Sequence, residues 1–219
     1  MKKKDPNNLQ RVFQIVRLTH LFQQIQRKIR ATDEHRWENN AEHTFQLIFV
    51  AVYVIDTEKL KLDLLKVILY ILCHDIVEVY AGDPCIFTDG PEAMRLKPER
   101  EALARKRLRA EFPEFSILHK TLEVYEKQED AEAKFAYAID KFVPFCNVYL
   151  DNGLTWTQFH TTIEELLAEK ERKIRVSHHF HGKLDEFLEI LKRKQGELFP
   201  PFVKFPQDKH LPLPVQKIA

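Results

Sequence analysis

The residues best suited to metal chemistry are His74 and Asp75, which follow an almost wholly apolar run from Leu64 to Cys73. An imidazole and a carboxylate at the end of such a run are costly, because burial disfavours the ionised form of a carboxylate. A carboxylate in the last turns of a helix also faces the negative end of the helix dipole. A bound cation nearby would offset both costs, so the pair predicts a metal site.

Two further residues of the same types stand beside or within apolar segments. His43 ends a polar stretch and opens an apolar helix, and Asp140 interrupts the apolar stretch from Phe135 to Leu150. Each alone has an ordinary alternative: a structural histidine for His43, and a capping or salt-bridging acid for Asp140. Two histidines and two aspartates on three predicted helices can, however, form a cage for one divalent metal ion.

Three segments carry a resemblance to a known family. Arg36 to His43 reads R-W-E-N-N-A-E-H, Cys73 to Asp83 reads C-H-D-I-V-E-V-Y-A-G-D, and Ala133 to Asp140 reads A-K-F-A-Y-A-I-D. They resemble boxes of the HD superfamily of metal-dependent phosphohydrolases, and more closely its 5'-deoxynucleotidase-like branch. The resemblance implies an all-α HD-domain helical bundle with a metal site between central helices. The metal ligands that it implies are His43, His74, Asp75 and Asp140.

Two acids beyond the doublet are candidates for catalysis. Glu78 lies one turn beyond Asp75 on the same face, where it can orient the attacking water or exchange a proton with it. The alternative for Glu78 is a solvated acid at a helix end. Asp83 follows Gly82 and resembles the family residue at the sugar side of the site. That resemblance implies a hydrogen bond from a ribose hydroxyl, or help in transferring a proton to the leaving oxygen.

A phosphate monoester also needs cationic donors, and three arginines are candidates. Arg36 occupies a position of the family box, whereas Arg27 and Arg30 fall at the end of the predicted first helix. The resembling enzymes keep an arginine for the phosphate there. The family commonly shows an Arg-Trp pair at that place, and this chain has Arg27-Lys28 instead. Which of the three arginines binds phosphate therefore stays open.

Hydrolysis of a phosphate ester fits a divalent ion held by imidazoles and carboxylates, because such an ion polarises a phosphoryl oxygen and brings the pKa of a bound water towards about 7. We expect one ion, and manganese, cobalt, magnesium, iron, nickel and zinc all remain open. The resemblance implies an enzyme that hydrolyses deoxyribonucleoside 5'-monophosphates to nucleoside and phosphate. The alternatives are a phosphodiesterase or pyrophosphohydrolase for cyclic, diphosphate or alarmone nucleotides, and a non-catalytic metal-binding helical module.

The composition is that of an ordinary intracellular globular domain. A net charge of +1 with 31% charged residues indicates neither nucleic acid nor a membrane surface as an obligatory partner. The ligand that the resemblance implies is a small-molecule nucleotide. The longest apolar run, Leu47 to Ile55, is far short of a bilayer span. Three cysteines without C-x-x-C spacing indicate free thiols in a reducing compartment, which predicts a cytoplasmic protein. Whether the chain forms a homodimer stays open.

Helical spacing of apolar residues dominates the chain. The pattern predicts a first helix over 7–30, central helices over 40–56 and 62–79, and further helices over 98–111, 114–127, 130–151, 157–172 and 178–194. The segment from Asp83 to Lys97 is predicted to be a connection, either a lid over the site or an ordinary surface loop. Residues 1–196 are assigned to the HD domain, and five prolines mark 197–219 as a proline-rich C-terminal tail.

Overall fold

The computed structural model describes residues 8–31, 36–85 and 89–199. Helices make up almost all of the regular structure, as the sequence predicts, and a small two-stranded sheet is the exception. In chain order the elements are α1 (Asn8–Gln23), β1 (Gln26–Arg30), β2 (Trp37–Asn39), α2 (Asn40–Thr57), α3 (Leu64–Cys73), α4 (Glu78–Ala81), α5 (Gly90–Glu111), α6 (Ser116–Lys127), α7 (Ala131–Leu150), α8 (Leu154–Gln158), α9 (Ile163–Ile174), a 3-10 turn (His178–Phe180), α10 (His181–Arg193) and α11 (Gln195–Leu198). The fold is an all-α helical bundle.

The larger core lies around α7, which packs against α2, α3 and α9. Leu47 of α2, Val67 of α3 and Phe135 and Ile139 of α7 are fully buried within it. Burial of a side chain of this size stabilises the folded state by about 1.5–3 kcal/mol. The helices that bear the predicted metal ligands are therefore held in place by the best-packed part of the protein.

A second apolar cluster lies on the other side of α3. It brings together side chains of α1, α4, α5 and α6, with Leu18, Ala81, Leu108 and Leu118 among its buried members. Because α5 packs along α4, it brings a long basic helix next to the short helix that begins at Glu78. This contact places Lys97 near the predicted catalytic acids.

The chain differs from the predicted first helix after Gln23. Residues Gln26–Arg30 form β1, which pairs antiparallel with β2 in the register Gln26 to Asn39 and Arg30 to Trp37. The prediction that Arg27 and Arg30 lie at the end of a helix is therefore wrong, since both lie on a strand. The strand gains its backbone hydrogen bonds from residues about ten positions later, a pairing that the local periodicity of the sequence does not reveal.

Three other predicted segments are divided differently in the structure. The helix predicted over 62–79 ends at Cys73, and the turn that carries His74 and Asp75 separates it from α4. The helix predicted over 157–172 is interrupted at His160, whose φ of 52° cannot continue a right-handed helix. The connection predicted from Asp83 to Lys97 is shorter, because α5 begins at Gly90 with proline in its first turn.

The C-terminal segment is described only as far as Phe199. Leu198 is buried, and the ring of Phe199 stacks on Trp156 with 4.9 Å between centroids. The first residues of the predicted tail therefore pack on the helical body, while the rest of the tail, from Pro200 on, lies outside the described residues. Within the described ranges, no helix is long and apolar enough to cross a bilayer.

Candidate active site

The four predicted metal ligands converge on one point. One ligand atom from each of His43, His74, Asp75 and Asp140 lies within 4.8 Å of the others. Nε2 of His43 is 3.0 Å from Oδ1 of Asp140, and Nε2 of His74 is 3.0 Å from Oδ2 of Asp75 and 3.6 Å from Oδ1 of Asp140. Atoms at these separations can all approach a single cation placed between them.

Local structure sets the direction of both imidazoles. Asn39 caps α2 in a reciprocal capping box with Glu42, so His43 lies in the first turn of the helix and points into the core, where it is 0% exposed. Nδ1 of His74 donates a hydrogen bond of 2.7 Å to the carbonyl of Ile71. That bond leaves Nε2 with a lone pair directed at the cluster, as a metal-ligating histidine requires.

The cluster has the electrostatics of a cation site. Burial and the nearby Arg27 lower the pKa of His43 to about 4, so this imidazole is neutral. Burial alone would lower the pKa of His74 as well, but Asp75 and Asp140 outweigh it and raise the pKa to about 10. The two carboxylates thus stabilise a positive charge between them, and a divalent ion supplies that charge.

One observation tests directly whether these residues fit a metal. Nε2 of His74 and Nδ1 of His43 are buried and form no well-directed hydrogen bond to the described residues. Carboxylate oxygens of Asp75 and Glu38 lie 3.0 and 3.5 Å from these two nitrogens, but a buried polar nitrogen without a well-directed hydrogen bond is still costly, because its lost hydration is not fully replaced. A metal ion ligated by Nε2 of His74 would remove that cost, so the residues present fit a divalent cation.

Glu78 lies beside the cluster and is only 2% exposed. Asn40 donates a hydrogen bond of 2.7 Å to its Oε2, and Nζ of Lys97 lies 3.5 Å from its Oε1. Burial, followed by the charges of Asp75 and Asp83, raises the pKa of Glu78 well above its usual range. The alternative of a solvated acid at a helix end is excluded by this burial, and the raised pKa favours the protonated carboxyl.

Asp83 completes the acidic side of the site. Its carboxylate lies 3.5 Å from Nζ of Lys97 and 3.9 Å from Nη1 of Arg27, and Asp83 lines the cavity next to the cluster. The structure therefore brings Asp83 to the same cavity as Asp140. Its position beyond Gly82, whose φ is 72°, follows from the sharp turn that ends α4.

The three predicted arginines lie in different places. Arg27 is 13% exposed, donates to Asp75 at 2.9 Å, lies 3.2 Å from Glu38 and lines the cavity. Arg30 donates to Gln158 and stacks over Trp37 at 5.2 Å. Arg36 is 49% exposed and pairs with Glu42 at 2.8 Å. Of the three arginines, Arg27 alone is among the described residues that line the cavity.

Several residues of the site were not singled out from the sequence. Glu38 and Asn40 fall within the box from Arg36 to His43, and Lys141, which pairs with Asp140 at 2.6 Å, directly follows a ligand. Their places in the boxes were the signal that could have found them. Lys97 had no such signal, because it reaches the acids through the packing of α5 on α4.

The cavity has a volume of about 280 Å³ and runs from the cluster to an aromatic wall. Asp140, Arg27 and Asp83 line its metal end, and Phe145, Trp156 and Phe159 contribute apolar surface. This volume is close to the lower end of the range typical of small-molecule sites, roughly 300–1,000 Å³. The site can thus hold a small molecule with a polar end and a flat apolar part.

The structure gives no support to a second metal. His119, the histidine between Asp75 and Asp140 in sequence, lies 2.8 Å from the carbonyl of Phe112 through its Nε2. In the part of the chain that the structure describes, the one group of three or more potential ligands is the cluster of four. A di-iron arrangement would need further histidine ligands.

Comparison with known proteins agrees with the geometry. The model of the HD domain family matches residues 20–180. The crystal structure of a predicted metal-dependent phosphohydrolase from Magnetospirillum magnetotacticum MS-1 is similar at 26% identity with a TM-score of 0.74, over 89% of this chain and 97% of that one. A conserved hypothetical protein from Pyrococcus furiosus shares the fold at 21% identity with a TM-score of 0.50, over 83% and 99%. No curated protein matches the sequence. Because the family match spans most of the chain and includes the whole cluster, this protein belongs to the HD-domain family.

Proposed function

We propose that the protein is a metal-dependent phosphohydrolase that converts deoxyribonucleoside 5'-monophosphates to nucleoside and phosphate. The observation that carries the proposal is a buried cluster of two histidines and two aspartates, beside a buried Glu78, at the wall of a cavity. The similar protein from Magnetospirillum magnetotacticum MS-1 is described as a predicted metal-dependent phosphohydrolase, which supports the reaction class.

The metal would be held by His43, His74, Asp75 and Asp140. When bound, a divalent ion there polarises a phosphoryl oxygen and makes a water acidic enough to attack it near neutral pH. The buried, neutral state of His43 suits ligation, since a metal binds the unprotonated imidazole. His74 must lose its proton on binding, so metal uptake is expected to release a proton.

Arg27 is the residue that we assign to the phosphate. Its Nη1 donates to Asp75 and its Nε lies near Glu38, and these contacts fix the guanidinium plane beside the cluster. Its Nη2 forms no hydrogen bond within the described residues, so a donor of the fork remains for a phosphate oxygen. A fixed guanidinium loses little conformational entropy on binding, which favours it over a solvated arginine such as Arg36.

Glu78 and Asp83 are assigned to proton transfer and to orientation of the substrate. The raised pKa of Glu78 lets its carboxyl exchange a proton with water or with the leaving oxygen, and Asn40 fixes its orientation. Asp83 lines the cavity beside Arg27 and Lys97, where it can accept a hydrogen bond from a sugar hydroxyl. The aromatic wall at Trp156 offers apolar surface for the base.

A second candidate keeps the reaction class but changes the substrate to a cyclic, diphosphate or alarmone nucleotide. The basic residues that line the cavity, which exceed its acidic ones, favour a substrate of higher charge. A non-catalytic metal module accounts for the four ligands. It does not account for a buried, hydrogen-bonded glutamate and a cavity next to them.

The test is phosphate release from a panel of nucleotides by the protein loaded with Mn²⁺, Co²⁺ or Mg²⁺ in turn. We expect release from deoxyribonucleoside 5'-monophosphates, and none after chelation or from an Asp140→Asn variant. If the protein hydrolyses only cyclic or diphosphate nucleotides, the second candidate substrate class replaces the 5'-monophosphates. If the fully metal-loaded protein releases no phosphate from any nucleotide, the non-catalytic metal-binding module is the one candidate function that remains.

A further inference from the structure

Lys170 occupies a core-facing position of α9. Ile163, Leu166 and Ile174 of this helix are buried, and Lys170 stands four residues after Leu166 and four before Ile174, on the same face. An ammonium group placed among apolar neighbours loses hydration, which is costly unless an anion pairs with it. A lysine at this position therefore needs a partner.

The described residues supply no such partner. Lys170 forms no ion pair or hydrogen bond with any of them, whereas Lys141 pairs with Asp140 and Lys173 pairs with Glu169. The like charges of Lys141 and Lys173 act on it more strongly than the opposite charges of Glu169 and Asp140. Burial, reinforced by these like charges, lowers the pKa of Lys170 to about 8. An anion beside it would relieve both the burial and the repulsion.

Lys170 and its two basic neighbours line the same cavity as the metal ligand Asp140. The described lining contains six basic and three acidic side chains, namely Arg27, Lys28, Lys97, Lys141, Lys170 and Lys173 against Asp83, Asp140 and Glu169. Arg27 and Lys97 pair with carboxylates at the metal end, and Lys28 lies over the ring of Trp37 at 5.7 Å. Lys141 and Lys173 also pair with carboxylates, so Lys170 is the lysine of the cavity whose charge the described residues leave without a partner.

The position of Lys170 on α9 also argues against a purely structural role. Basic residues in the last turn of a helix interact favourably with its dipole, and Arg172 and Lys173 stand there. Lys170 comes before that turn, on the face that packs inward. Lys170 also lines the cavity, whereas a lysine that only completes a helix end would extend to the outer surface.

We propose that Lys170, together with Lys173 and Lys141, forms a second anion subsite that binds a phosphoryl group of the nucleotide other than the one that is cleaved. The proposal rests on the proposed phosphohydrolase function and extends its substrate class from 5'-monophosphates to nucleotides that carry a second phosphoryl group. A lysine suits this task, because its three rotatable N–H groups can donate to phosphate oxygens in more than one orientation. The second group is attached either at the 3' position or to the first phosphate.

The first experiment measures binding without catalysis. Calorimetry with the chelated, metal-free protein compares a deoxyribonucleoside 3',5'-bisphosphate, a 5'-diphosphate and a 5'-monophosphate on wild type, Lys170→Met and Lys120→Met. Methionine keeps the length of the side chain without its charge, and Lys120 is an exposed lysine of α6 that serves as the matched control. We expect a doubly phosphorylated nucleotide to bind roughly tenfold or more tighter than the monophosphate, and Lys170→Met alone to abolish that preference.

The second experiment measures kcat/KM for the same three nucleotides with the metal-loaded protein. We expect the ratio of the doubly phosphorylated substrate to the monophosphate to fall about tenfold in Lys170→Met and to hold in Lys120→Met. Which of the two doubly phosphorylated nucleotides is preferred identifies the site of attachment. A Lys173→Met variant is expected to lower the same ratio. It keeps the test valid if Lys170→Met fails to fold.

Two results would overturn the subsite. One is a wild type that shows no preference for either doubly phosphorylated nucleotide in binding. The other is an equal loss for all three nucleotides in Lys170→Met, because it would assign the lysine to the cleaved phosphate. If no nucleotide is hydrolysed, the proposed function fails, but the binding preference and its loss in Lys170→Met still decide whether the subsite exists.

Discussion

Replacing Arg27 by lysine, in parallel with Arg36, identifies the arginine that binds the phosphate. Both variants keep a positive charge and remove the planar fork. The guanidinium of Arg27 spans Asp75 and Glu38 at 2.9 and 3.2 Å and lies at the cavity, whereas Arg36 pairs with Glu42 on the surface. We therefore expect the two substitutions to differ sharply, although they are chemically the same.

The size of the effect follows from the donors that are lost. An ammonium group cannot hold Asp75, Glu38 and a phosphate oxygen in the plane that Arg27 provides, so at least one charge-assisted hydrogen bond is lost. Each is worth about 1.5–3 kcal/mol, which predicts roughly a 10- to 150-fold fall in kcat/KM for Arg27→Lys. The exposed pair of Arg36 and Glu42 is screened by solvent and contributes about 0–1 kcal/mol, so Arg36→Lys should stay within about fivefold of wild type.

The assay is kcat/KM for a deoxyribonucleoside 5'-monophosphate, with metal content measured on each preparation. Metal analysis is the control, because Arg27 also contacts the ligand Asp75 and its loss must not be confused with loss of the ion. Thermal melting of each variant checks the fold. Should Arg36→Lys reduce hydrolysis more than Arg27→Lys at equal metal content, the assignment of the phosphate site from burial and cavity lining would be refuted.

Three further predictions concern the metal and the proton. Asp140→Ala should lose the ion, since it removes a ligand and leaves His74 and Asp75 without a full cage; elemental analysis showing one ion per chain in this variant would contradict the site. Glu78→Gln should retain the metal but lower kcat by about 10²- to 10⁴-fold, and an unchanged kcat would make Glu78 a structural residue only. Chelation of the metal from the wild type should lower Tm by roughly 5–10 °C, the equivalent of about 2.7 kcal/mol at a hundredfold excess over Kd; calorimetry showing the same Tm with and without metal would mean that the ion does not bind preferentially to the folded state.

The cluster of candidate metal ligands could be predicted because each residue sits where its type conflicts with its surroundings. His43, His74, Asp75 and Asp140 all stand beside or within apolar segments, and the structure places their ligand atoms within 4.8 Å of one another. The same apolar segments define α2 and α7, whose ends at Asn40–Thr57 and Ala131–Leu150 lie close to the predicted ones. The apolar segments thus predict the core helices, and the histidines and aspartates beside or within them predict the candidate ligands.

The strand β1 could not be predicted in the same way. The sequence Q-R-K-I-R over Gln26–Arg30 has no alternation of apolar and polar residues, and its partner Trp37–Asn39 is only three residues long. Its conformation is set by hydrogen bonds to that partner and not by its own side chains. The strand directs Arg27 to Asp75 and Arg30 to Gln158. The arginine that lies at the candidate site could therefore be identified only from the tertiary structure.

The cavity lysines show a different limit of sequence reasoning. Along α9, Lys170 is one of several charges in a polar-looking stretch, and only its place between the buried Leu166 and Ile174 distinguishes it from a surface lysine. The conflict between a charge and a core-facing position is the same signal that identified His74 and Asp75. It is weaker at Lys170 because a long side chain can often carry its charge to solvent. Lys170 lines a cavity together with Asp140, so an anion bound in that cavity would resolve the conflict.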